Sequence, residues 1–74
     1  MSRLPLVSRR RCIRALCGAG FYVKRQESSH VTLRRDEPFV QVVVPLHKEL
    51  DRGTLKAILR HAHITPEEFT TLLK

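Results

Sequence analysis

The sequence has no CxxC pair and no carboxylate cluster at ligand spacing, so no metal centre is expected even though it holds four histidines, His30, His47, His61 and His63. GxSxG, P-loop and dinucleotide-binding glycine patterns are missing, and neither cysteine stands in a nucleophile context, which argues against serine- and cysteine-hydrolase and nucleotide-fold chemistry. The longest apolar run, Val42 to Val44 with its flanks, falls far short of the roughly 20 residues that a membrane helix needs. Two cysteines allow at most one disulfide, and nothing reads as a secretory signal, so a reducing cytoplasm is the expected setting. Internal repeats, low-complexity tracts and linkers are also missing, and residues 1–74 are read as one domain with a small core.

Positive charge is abundant. The formal net charge is +7, and residues 1–37 carry nine Lys/Arg against three acids while residues 38–74 carry five against four. A field of that sign attracts polyanions, either nucleic acid or an acidic protein. A merely solvated basic surface is the bland alternative.

Ser8 can cap a first helix over roughly residues 8–18, in which Cys12, Ile13, Leu16 and Cys17 recur at helical spacing until Gly18 and Gly20 stop the pattern. Arg9, Arg10 and Arg14 take its exposed side. Cys12 and Cys17, five apart, are both expected to be reduced core residues. From Phe21 the period becomes two. Phe21 and Val23 alternate with Tyr22, Lys24 and Gln26, and after a Glu-Ser-Ser turn Val31 and Leu33 alternate with His30, Thr32 and Arg34. A turn centred on Ser28 places Gln26 opposite His30, Lys24 opposite Thr32 and Tyr22 opposite Arg34, all on one side of a hairpin.

Phe39 to Val44 forms a third, β-branched strand that Pro45 ends. A helix starting at Asp51 or Gly53 buries Leu55, Ile58, Leu59 and Ala62, with His61 and His63 at its end, where imidazoles commonly satisfy terminal carbonyls. Thr65, Pro66 and Glu68 supply the cap, first-turn proline and capping-box acid of a last short helix that buries Phe69, Leu72 and Leu73. The expected fold is α+β, in the order α-β-β-β-α-α.

His47, in the loop after Pro45, reads as structural. His30 is the chemical candidate, because alternation places it on the solvent side beside Lys24, Thr32, Arg34 and the serine turn. There an imidazole can take the proton of a ribose 2′-hydroxyl while cations balance the charge gathering on phosphorus. From spacing alone, an inert strand histidine remains the more ordinary reading.

The segments LPLVSRRRCIRALCGAGF, RQESSH, VVVPLH, KELDRGTLKAILRHA and ITPEEF, in this order and over nearly the whole chain, resemble the HicA toxins of toxin-antitoxin modules. The resemblance implies a double-stranded-RNA-binding-like fold and a metal-independent endoribonuclease, an mRNA interferase without cofactors. It also implies a HicB antitoxin that covers the active face. The family's catalytic histidine follows a Gly-Ser pair and matches His30, with Ser29 as the motif serine. Lys24, Arg25, Ser29, Thr32 and Arg34 are then the expected RNA contacts. The family glycine is Ser28 here, and a serine forced to positive φ would cost roughly 1 kcal/mol. The alternative is a noncatalytic module that reads double-stranded RNA by shape.

Overall fold

Each helix begins on a side chain that satisfies its first free amides. In the computed structural model, which describes residues 4–73, β1 (Val7–Ser8) runs directly into α1 (Arg9–Gly18). Ser8 is the N-cap, its Oγ accepting from the Arg11 amide at 3.2 Å. Cys12, Ala15 and Leu16 form the buried stripe of α1. Gly20, at φ +100°, turns the chain back in a conformation that a side chain would strain. The Phe21 amide then donates to the Leu16 carbonyl at 3.1 Å, and the Phe21 ring is buried.

The next three strands are β2 (Tyr22–Gln26), β3 (His30–Asp36) and β4 (Phe39–Pro45), an antiparallel sheet in the order β2-β3-β4. Pairing of β3 with β4 is regular from His30↔Pro45 to Asp36↔Phe39. Val31 and Leu33 of β3 and Val40, Val42 and Val44 of β4 are buried on the side that meets the helices. Two further residues, β5 (Glu49–Leu50), pair antiparallel with β1 through Val7↔Leu50 and Ser8↔Glu49, which fastens the start of α1 to the start of the following helix.

That helix is α2 (Arg52–Ala62), capped by Asp51, whose Oδ1 accepts from the Thr54 amide at 2.7 Å. The Thr54 amide, followed by its hydroxyl, holds the Asp51 carboxyl below its ordinary 3.8. The predicted stripe of Leu55, Ile58, Leu59 and Ala62 is buried, and α2 lies on β4. His63 ends the helix in the left-handed region at φ 62°, so its backbone serves the cap: the His63 amide donates to the Arg60 carbonyl and the Ile64 amide to the Leu59 carbonyl. The capping box of Thr65 and Glu68 is formed at the head of α3 (Pro66–Leu72), which packs against α1.

The α+β fold and its order α-β-β-β-α-α are present, and the helix, three-stranded sheet and packing helix agree with the double-stranded-RNA-binding-like arrangement. Among the described residues no polar or charged side chain is buried. Several local expectations are corrected. Cys12 is fully buried and its thiol is pushed up to about 12 by desolvation, but Cys17 is exposed. It lies one residue, about 100°, around the helix from Leu16 and so leaves the apolar stripe. Leu72 and Leu73 are only half-buried, at the last turn of a short outer helix. Val23 is 47% exposed, because β2 is the edge strand away from α2, which lies on β4, and every one of its residues is open to solvent.

Candidate active site and nucleic-acid face

Alternation along β3 turns His30, Thr32, Arg34 and Asp36 away from the helices, opposite Pro45, Val43, Gln41 and Phe39 of β4. On the other flank the expected register fails at one point. Tyr22 lies opposite Arg34 as predicted, but a bulge between Val23 and Arg25 leaves Lys24 unpaired, puts Arg25 opposite Thr32 and Gln26 opposite Val31. A bulge adds one residue to one strand and so reverses the facing of the residues beyond it. Arg25, rather than Lys24, is therefore the β2 cation aligned with Thr32, and Gln26 does not face His30. No glycine or proline marks the bulge, which explains why simple alternation missed it.

His30 is exposed at the first position of β3, and its Nδ1 lies 2.8 Å from Ser29 Oγ. The turn that carries the pair is held from both sides: the Glu27 amide donates to the His30 carbonyl at 2.8 Å, and the Leu46 amide donates to the Ser29 carbonyl at 3.0 Å. The positive-φ strain considered for Ser28 does not arise, since His63 is the one non-glycine residue with positive φ among those described.

The outward face has two unlike ends. Far from His30, Arg34 donates through Nε and Nη2 to Gln41 Oε1 at 3.1 and 2.9 Å and lies 5.2 Å over the Phe39 ring, while the Tyr22 hydroxyl reaches both oxygens of Asp36 at 3.1 Å. These groups are already engaged with each other. Arg25, opposite Thr32, and Lys24, at the bulge, have side chains without a hydrogen-bond or ion-pair partner among the described residues. Phe39, Val43 and Tyr22 are exposed on the same face at 64%, 49% and 41%, an unusual apolar display for so small a chain.

His47, His61 and His63 are exposed; His61 and His63 lie at the end of α2 as predicted, and His47 follows Leu46 in the loop after β4. Among the described residues no group of three or more His, Cys, Asp and Glu could hold a metal ion, and no helix is long and apolar enough to cross a membrane. Sequence reasoning also overlooked a cleft of about 480 Å³ lined by Ser8, Arg9, Arg10, Leu46 and Lys48. The arginine run at the head of α1 was its one visible signal.

The fold and face define a class: a small basic α+β domain that covers one side of its sheet with helices and presents a turn-anchored histidine at the end of the other. The family described as HicA toxin of bacterial toxin-antitoxin matches residues 9–64. The chain belongs to the HicA toxin family and is thus of the toxin type in a toxin-antitoxin module. No curated protein matches it.

Proposed function

We propose that the chain is an endoribonuclease toxin that cuts mRNA without a metal, with His30 as the general base. The observation that carries this reading is the pairing of an exposed imidazole with Ser29 on a turn tied to both neighbouring strands, with the unengaged Arg25 opposite Thr32 on the adjoining strand. When Nδ1–H donates to Ser29 Oγ, Nε2 is the free acceptor. It takes the proton of a ribose 2′-hydroxyl, and the 2′-oxygen attacks the adjacent phosphorus. The bond to the 5′-oxygen breaks, and that oxygen leaves with a proton returned by the imidazolium or by water. The products are a 2′,3′-cyclic phosphate and a 5′-hydroxyl.

Arg25 and Lys24 stabilise the charge gathering on the phosphoryl oxygens, and Thr32 and Ser29 offer hydroxyl contacts. Arg34 acts mainly by holding Gln41 and Phe39, so its share in RNA contact is secondary. An antitoxin of the HicB type covers the same face, and the exposed Phe39, Val43 and Tyr22 give it apolar area to bury. RNA as substrate sets the work in the cytoplasm.

A cleavage assay in excess chelator, comparing the parent chain with His30→Ala, tests the assignment. The expected result is metal-independent cutting with cyclic-phosphate ends, lowered about 10²- to 10⁴-fold in the variant, the usual range for removal of a general base. Unchanged cutting by the variant, or products bearing only 5′-phosphates, would refute it. A variant that binds RNA as tightly as a parent that never cuts would favour the noncatalytic double-stranded-RNA-binding module instead.

A further inference from the structure

The cations of this chain divide by what they touch. Arg34 is engaged with Gln41 and Phe39, Arg35 with the Phe21 ring and the Ala19 carbonyl, and Arg52 donates to the Leu4 carbonyl at 2.7 Å. Arg9, Arg10 and Lys48, like Lys24 and Arg25, have side chains without a hydrogen-bond or ion-pair partner among the described residues, and these three converge on one cleft of about 480 Å³. Their convergence is built by the fold. The β1–β5 pairing, with Ser8 opposite Glu49, brings the head of α1 alongside the loop that leaves β4. Glu49, the nearest acid along the chain, makes no ion pair with them among the described residues.

Like charges gathered in a concavity repel one another, and the field they focus is relieved when an anion enters. The place of the cleft says which anion. Its wall includes Leu46, whose amide holds the Ser29 carbonyl at 3.0 Å, and the preceding residue, Pro45, lies opposite His30. The cleft and the histidine turn therefore meet at Leu46. Guanidinium forks suit phosphate oxygens in bidentate fashion, and an ammonium adds a point charge.

We propose that this cleft holds backbone phosphates of a single RNA strand, next to the bond presented to His30. The inference rests on the nuclease reading above and adds to it the residues that grip the strand: Arg9, Arg10 and Lys48. Arg25 and Lys24 serve the reacting phosphate on the other side of the histidine, so the strand passes over the turn.

The test uses the full chain carrying His30→Ala, so that the RNA stays intact, and a fluorescein-labelled single-stranded RNA whose anisotropy is followed over a salt series. Adding R9Q, R10Q and K48Q lowers the slope of log affinity against log salt by about 2, from roughly 0.7 for each lost contact on a single strand. Single replacements each lower it by about one third of that, which keeps the test valid should the triple variant fold poorly. Arg9→Lys with Arg10→Lys retains most of the slope, because charge is kept. K56Q with R60Q, exposed on α2, leaves it near the parent value. An unchanged slope in the triple variant, or an equal fall in the α2 control, overturns the cleft. Cleavage by the chain with native His30 separates the two ideas. If R9Q, R10Q and K48Q leave kcat and KM untouched while His30→Ala abolishes cutting, the cleft falls and the nuclease reading stands. If instead the His30→Ala chain still cuts, the assignment of His30 falls, and the slope, read on an RNA whose 2′-hydroxyls are methylated so that they cannot attack phosphorus, decides the cleft.

Discussion

On β3 and β4 the residues that turn toward the helices and those that turn away differ in every property that bears on stability. Toward the helices stand Val31, Leu33, Val40, Val42 and Val44, all buried. Away from them stand His30, Thr32, Arg34, Gln41 and Val43, exposed or half-buried and mostly polar. A chain of 74 residues has one small core, so the burial on the inner face must carry most of a stability of roughly 0.05–0.15 kcal/mol per residue. The outer face is free of that duty. Even its internal contacts, Arg34 on Gln41 and Tyr22 on Asp36, are exposed hydrogen bonds of modest worth. The comparison teaches that residues adjacent in sequence do different physical work, one set filling the core and the other left open to solvent.

The sharpest way to break this division is to mutate both sides of one strand. Leu33→Ala, at a fully buried site on β3, is expected to lower unfolding free energy by about 2–5 kcal/mol, through lost transfer energy and the cavity left behind. That is a large share of the total and should be visible in urea midpoints. His30→Ala, three positions earlier, is expected to shift the same midpoint by no more than about 0.5 kcal/mol, as for other surface substitutions. A large destabilisation by His30→Ala would show that the turn also serves the fold and would blur the distinction.

A smaller and cleaner contrast comes from two neighbours on β4. Val42→Thr places a hydroxyl against the helices, where no polar side chain is buried, and should cost about 1–3 kcal/mol as an unsatisfied group. Val43→Thr makes the same chemical change on the open face, at a residue 49% exposed, and should stay within about 0.5 kcal/mol. Equal effects at the two positions would mean that some other element covers the outer face in solution.

Where the alternation is regular, the sequence showed this division in advance. Val31 and Leu33 announce an inner face by period two, Phe39 to Val44 announces a strand by its β-branched residues without saying which of them turn inward, and Ser8, Asp51 and Thr65 announce helix starts by their side chains. What escaped depends on events that leave no local mark. The extra residue in β2 at Lys24 has no glycine to signal it, so Arg25 took the place assigned to Lys24. Pairing of β1 with β5 joins residues 7–8 to residues 49–50 and needs only two residues on each side. The cleft follows from that long-range pairing, and so Arg9, Arg10 and Lys48 could be read as basic but not as neighbours. Cys17 failed for another reason: a helical stripe three residues wide has an edge, and spacing alone does not say on which side of it a residue falls.

The smallest expected effect concerns the helix layer that covers the inner face. Asp51 caps α2 through the Thr54 amide, which lowers its carboxyl below the ordinary 3.8. A folded-state value below the unfolded one means that the charged cap adds stability fully above 3.8, and that this share is lost as pH falls through the lowered folded value. Asp51→Asn keeps a capping oxygen but has no proton to gain, so the urea midpoint of the parent should fall more steeply than that of the variant as the solution is taken into this acid range. Because the carboxyl is exposed, the difference should be slight and should shrink further in salt. RNA cleavage at neutral pH should be the same in both chains, since Asn keeps the capping oxygen and so leaves the loop that carries Lys48 in place. A loss of cleavage in Asp51→Asn at neutral pH would mean instead that the charge of the cap, and not its oxygen alone, positions the loop that carries Lys48 and with it the cleft beside that loop.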